Sequence, residues 1–160
     1  MAWIFSLAIE CGENEPDAHS MAEQFNGQIL SIPSVSDIRC ETHVFKDAES
    51  HWWADIHPLG ASAGGVANAK LQGASELSDL GCQLYNRLRN ARPLYRYALA
   101  GLEVSGFRYF SEIDKEIIDP SLSGLVISTD IWKQLGMPAL FQEFNKEYRW
   151  IPYLGESKGI

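Results

Sequence analysis

Two neighbouring segments of alternating polar and apolar residues constrain the fold of this chain most strongly. Between Asp37 and Lys46, one set of alternate positions holds Cys40, Thr42 and Val44, and the other set holds Arg39, Glu41, His43 and Phe45. The same alternation runs from His51 to His57, and four residues separate the two segments. Successive side chains of a strand point to opposite faces of a sheet, and a connection of this length suits a hairpin. The pattern therefore predicts two half-buried antiparallel strands.

Two other segments have the apolar spacing of amphipathic helices. After Pro16, an apolar stripe at positions i, i+3, i+4 and i+7 is formed by Ala18, Met21, Ala22 and Phe25. The second helix is predicted from about Ser75 to Ala91, and it ends before Pro93, which cannot continue a helix. Each helix has one apolar face, and we expect both to pack on the same face of a sheet.

The remaining apolar segments complete the predicted fold class. Strands are predicted over residues 1–9, 28–32, 94–104, 125–127 and 148–153. A chain of 160 residues is of single-domain length, so we assign residues 1–160 to one α+β domain. Its sheet is expected to be mainly antiparallel, with about five to seven strands, and to carry the helices near 16–26 and 75–91 on one face. An α/β fold is the alternative, because the strand-helix-strand opening is also compatible with a parallel crossover unit.

Residues 59–74 form a segment that is rich in glycine and alanine. They include Gly60, Gly64, Gly65 and Gly73, and they offer few bulky side chains for packing. We therefore predict a mobile loop. The segment lacks the Lys-Ser or Lys-Thr pair of a phosphate-binding loop, so nucleotide binding is not expected there.

The charge balance limits the class of partner. The chain has 13 Lys and Arg against 21 Asp and Glu, which gives a net charge of −8. This field repels nucleic acids, and it favours a basic protein as partner. The chain has no apolar run of about 18 residues and no basic segment before its apolar N-terminus, so we expect a cytoplasmic protein without membrane association.

Catalytic residue types are concentrated in the predicted hairpin. On its second strand, His51, Asp55 and His57 share one face, and His43 is expected to lie across from them. Three imidazoles and one carboxylate suit zinc or a similar metal, and His51, Asp55 and His57 are then candidate catalytic residues. However, these three residues span about 20 Å along an extended strand and cannot converge on one ion. We therefore expect no bound metal and no cofactor.

Aromatic residues offer a second kind of site. Trp52 and Trp53 are adjacent, so on a strand they must point to opposite faces. One of them must therefore be buried by another layer of the chain or by a partner. Together with Trp150 and Tyr153 they are candidate partner contacts, although burial within the chain is the simpler interpretation.

Two functional hypotheses follow from these residues. The first, which we favour, is a non-catalytic protein-binding module, similar in size and charge to acidic immunity and inhibitor proteins but without a shared motif. The second is a small metal-dependent hydrolase that uses the His/Asp cluster. A homo-oligomer is compatible with both.

Overall fold

The computed structural model describes residues 3–33, 35–63, 73–113 and 122–156 of the chain. Its strands are β1 (Trp3–Glu10), β2 (Ile29–Ile32), β3 (Val35–Lys46), β4 (Trp52–Pro58), β5 (Ser62–Ala63), β6 (Tyr97–Leu102), β7 (Val126–Ser128), β8 (Gln142–Glu143) and β9 (Tyr148–Trp150). Its α-helices are α1 (Glu15–Phe25), α2 (Ala74–Arg89) and α3 (Thr129–Gln134), and a short 3-10 helix spans Phe110–Glu112.

The strands form one antiparallel sheet. Eight of them follow the order β2-β3-β4-β1-β6-β7-β9-β8, and β5 pairs with the beginning of β1. The described residues thus contain more strands than the sequence predicts, because β5 and β8 have only two residues each and lack a pattern of alternation. Strands β1 and β2 are separated by β3 and β4, so the opening of the chain is not a parallel crossover unit. The fold is α+β.

The predicted hairpin is confirmed. Strands β3 and β4 pair antiparallel, with His43 opposite Asp55. The Asp47 side chain organises the connection, because one carboxylate oxygen accepts hydrogen bonds from the backbone N–H of Glu49 at 2.8 Å and of His51 at 3.0 Å. Its other oxygen accepts a hydrogen bond from the Trp53 indole at 2.8 Å.

Helices α1 and α2 cover one face of the sheet, which we call the inner face. The predicted stripe of α1 is buried there, and Leu77, Leu80, Leu84 and Leu88 of α2 belong to the same core. Asn14 caps α1, since its side chain accepts a hydrogen bond from the N–H of Asp17 at 3.3 Å. The arrangement confirms that two main helices pack on one face.

Side chains of α2 also close one edge of the sheet. The Gln83 amide donates to the Ser31 carbonyl of β2 at 2.7 Å and accepts from its N–H at 3.4 Å. Arg87 donates to the Ile29 carbonyl at 3.0 Å. Backbone groups of an edge strand that are bonded in this way are less available for pairing with another chain.

The opposite face, which we call the outer face, is covered over only part of its width. Over the beginning of β4 and over β1, β6 and β7, a second core contains Trp53, Tyr97, Val104, Ile113, Leu125, Ile127 and Ile131. At the β2 side, Ile29 and Leu59 are 43% and 44% exposed, and Glu41 and His43 are exposed as well. The described residues therefore leave this part of the outer face open to solvent.

The predicted loop of residues 59–74 lies largely outside the described residues, which omit 64–72. At its two ends, Ser62–Ala63 forms β5 and Ala74 begins α2. Among the helices that the structure describes, none has the length and apolar character needed to span a bilayer.

Candidate functional site

The hairpin brings three of the predicted site residues together on the outer face. His43 lies directly opposite Asp55, and the next pair along the strands is Glu41 and His57. The Nε2 atom of His57 is 3.9 Å from Oδ2 of Asp55. The prediction that the hairpin places His43 across from the Asp55 row is therefore confirmed.

Asp55 is the buried centre of this group, with 1% of its surface exposed. Its Oδ2 atom accepts a hydrogen bond from the Ser105 hydroxyl, whereas Oδ1 has no hydrogen-bond partner among the described residues. Burial raises the pKa of Asp55, and the Ser105 hydrogen bond and the two nearby imidazoles, His57 and His43, oppose that shift. A carboxyl group in this environment holds its proton more strongly than an exposed one.

Sequence reasoning did not identify Ser105. It follows β6 in a tight turn in which Glu103 and Gly106 have φ angles of 54° and 59°, and it reaches Asp55 from 50 positions away in the sequence. The Ser105-Gly106 pair indicates a turn, but no local pattern shows which strand the turn will contact.

His51 belongs to a different group, next to the end of β1. Its Nδ1 atom is 3.8 Å from Oε2 of Glu10, a side chain with no exposed surface. Glu10 accepts hydrogen bonds from the N–H of Gly12 at 2.6 Å, from Nε of Arg96 at 2.9 Å and from a terminal nitrogen of Arg96. The guanidinium of Arg96 also lies 3.9 Å from the centre of the Phe110 ring. The structure thus divides the predicted row of histidines into two separate groups.

The chemistry available to the Asp55 group is limited by this geometry. The His57 imidazole is 3.9 Å from Asp55, which is longer than a hydrogen bond. Ser105 donates its hydrogen bond to the carboxylate and not to an imidazole, so it is not activated as a nucleophile. Within the described ranges, no three His, Cys, Asp or Glu side chains lie where they could share one metal ion. These residues do not form the ligand set that a metal-dependent hydrolase needs.

The adjacent tryptophans point to opposite faces, as the strand geometry requires. Trp53 is fully buried in the outer core. Trp52 is half-buried, packs against the inner core, and has the Nζ atom of Lys46 5.7 Å from its ring centre. Of the two, Trp52 alone has surface to offer a partner.

Trp150 and Tyr153 are half-buried and have contacts within the chain. The Trp150 ring centre lies 5.4 Å from that of Tyr85 and 5.1 Å from the Arg89 guanidinium. The Tyr153 hydroxyl donates a hydrogen bond to Glu156 at 2.7 Å. These contacts explain the burial of both side chains without a partner.

Carboxylates are concentrated at the beginning of the chain. The first 38 residues contain no Lys or Arg, but they contain six acidic residues, Glu10, Glu13, Glu15, Asp17, Glu23 and Asp37. Four of these lie on or just before α1, and Glu13, Glu15 and Glu23 are exposed. We call Glu13, Glu15, Asp17 and Glu23 the acidic helix surface.

Several arginines, in contrast, bind groups of the chain itself. Arg96 binds Glu10, and Arg87 binds the Ile29 carbonyl of β2. Arg89 donates to the Phe144 carbonyl at 2.6 Å, and the Arg149 guanidinium lies 4.4 Å from the centre of the Trp132 ring. Each of these four cations thus has a partner within the chain.

No protein-family model, curated protein sequence or solved structure matches the chain. A proposal about its function therefore depends on the charges and contacts described above.

Proposed function

We propose that this chain is a non-catalytic module that binds a basic protein through the acidic helix surface. The observation that carries the proposal is the position of Glu23. Acidic residues in the first turn of a helix, such as Glu15 and Asp17, stabilise it by interacting with the helix dipole. Glu23 lies in the last turn of α1, where a carboxylate is unfavourable, and that turn contains no basic residue.

The electrostatic field of the chain supports the same partner class. At a net charge of −8, the protein attracts cationic surfaces over a distance of about 8–10 Å at physiological salt. Helix α1 contains no Lys or Arg; its His19 imidazole lies 3.2 Å from the Glu15 carboxylate, and the last turn, which contains Glu23, has no basic residue. A nucleic acid is disfavoured because its phosphates are repelled by this surface.

Trp52 is the aromatic contact that we assign to this surface. Helix α1 packs against β4, the strand that begins at Trp52. A half-buried tryptophan is a typical binding contact, since its ring buries a large apolar area on complex formation. We further propose that the module acts in the cytoplasm, where its free cysteines Cys11, Cys40 and Cys82 would remain reduced.

The proposal is tested by titrating ¹⁵N-labelled protein with decalysine and following amide chemical shifts. We expect saturable shifts for residues of α1 and for Trp52, and we expect them to weaken as salt is raised. The variant Glu15→Gln/Glu23→Gln should bind decalysine several-fold more weakly than the wild type.

The matched control is Asp79→Asn/Glu143→Gln, which removes two exposed carboxylates elsewhere on the protein. If the two double variants lose affinity equally, binding reflects net charge alone and the assignment to α1 is wrong. If decalysine causes no saturable shifts at low salt, the proposed function is wrong.

A further inference from the structure

We propose that a second copy of this chain docks on the part of the outer face that the described residues leave uncovered. We call this surface the open face, and it consists of Ile29, Arg39, Glu41, His43, His57 and Leu59. Ile29 pairs with Arg39 across β2 and β3, and the Leu59 N–H donates to the Arg39 carbonyl at 2.9 Å. These three residues form one row across the strands, and Glu41 and His57 form the next row.

The open face has the composition of a self-complementary interface. It carries two apolar side chains, Ile29 and Leu59, with 43% and 44% of their surface exposed. Arg39 and Glu41 are both exposed, and two residues along a strand separate them by about 7 Å. A two-fold axis between their rows places each Arg39 opposite Glu41 of the second copy, as an isologous interface requires.

The distribution of charge favours this face over the others. The acidic helix surface would repel a second copy, whereas Arg39 and Glu41 balance each other on the open face. Helix α1 packs against β3 and β4 from the inner side, so a dimer through the open faces holds the two acidic helix surfaces apart. Pairing through the β2 edge is hindered, because Gln83 already binds both backbone groups of Ser31.

The small size of the open face sets the expected strength of the dimer. The open face spans three strands about 4.8 Å apart and two or three rows of side chains. A surface of this size buries less than the roughly 800 Å² per partner of a stable interface. We therefore expect a weak dimer, with a dissociation constant on the order of 100 µM. This inference does not depend on the proposed function, although a dimer would present two acidic helix surfaces to one partner.

The test is sedimentation equilibrium at physiological salt, up to about 1 mM protein. Arg39→Glu and Glu41→Arg should each weaken dimerisation by about tenfold or more, since like charges then face each other. The double variant Arg39→Glu/Glu41→Arg restores opposite charges and should recover the wild-type constant to within about threefold. Asp79→Arg, a reversal on the exposed side of α2, should not weaken dimerisation.

Three results would overturn the proposal. The first is a wild-type protein that stays monomeric up to 1 mM. The second is a dimer whose constant is the same in Arg39→Glu and in the wild type, which would place the interface elsewhere. The third is a double variant that dimerises as weakly as the single variants, which would exclude an ion pair between Arg39 of one copy and Glu41 of the other. Far-UV circular dichroism confirms in each case that the exposed substitutions leave the fold intact.

Discussion

Replacing Arg96 by methionine should produce a large loss of stability. Glu10 has no exposed surface, and Arg96 supplies two of the three hydrogen bonds that its carboxylate accepts. Breaking a buried ion pair by removing one partner costs about 3–5 kcal/mol. The Arg96 side chain is 31% exposed, so the lower end of that range applies. The lost contact with Phe110 adds about 1 kcal/mol.

We therefore expect Arg96→Met to lower the free energy of unfolding by about 3–4 kcal/mol in urea melts followed by circular dichroism. The control is Arg149→Met, which removes a guanidinium that contacts the Trp132 ring and should cost only about 1 kcal/mol. Glu10→Gln/Arg96→Met should be more stable than Arg96→Met alone, because the amide removes the uncompensated buried charge. If Arg96→Met and Arg149→Met lower the free energy of unfolding equally, this reasoning is wrong.

Three further changes test other parts of the structure. Burial raises the pKa of Asp55, so its contribution to stability is present below about pH 3.8 and is lost as the pH rises through the folded-state pKa. Asp55→Asn should therefore reduce the pH dependence of the free energy of unfolding, measured in urea melts from about pH 4 to 7. Gly81→Ala should destabilise by about 1–3 kcal/mol in thermal melts, since the methyl group would overlap the Tyr153 ring; a gain of about 1 kcal/mol, as helix propensity alone predicts, would contradict this contact. Gln83→Ala should speed hydrogen exchange at the Ser31 amide, and unchanged exchange would mean that the edge contact is absent in solution.

The sequence predicted those parts of the fold that depend on local patterns. Alternation identified β3 and β4, and the length of their connection indicated that they pair antiparallel. The register was not predicted: a connection of four residues would pair Lys46 with His51, whereas the structure pairs Lys46 with Trp52 and His43 with Asp55. Apolar spacing identified α1 and α2, and their burial follows the predicted stripes. The strand expected at 94–104 is β6, which lies in the interior of the sheet between β1 and β7. In these segments, the pattern that predicts the helix or strand lies within the segment itself.

The parts that sequence reasoning missed depend on contacts between distant segments. Glu10 and Arg96 are 86 positions apart, and no spacing rule indicates that they form a buried pair. Ser105 reaches Asp55 through the turn after β6, and the same tertiary packing brings His51 to Glu10. Such contacts are determined by the strand order, which the alternation of side chains does not specify.

The comparison of two charge variants in one binding assay tests the central claim most directly. The claim is that a basic partner contacts α1, and not simply that an acidic protein attracts cations. Isothermal titration with decalysine at low salt, for Glu15→Gln/Glu23→Gln and for Asp79→Asn/Glu143→Gln, separates these statements because both variants have the same net charge. The account predicts that the first variant loses several-fold in affinity and that the second stays close to the wild type. Equal affinities of the two variants would contradict it.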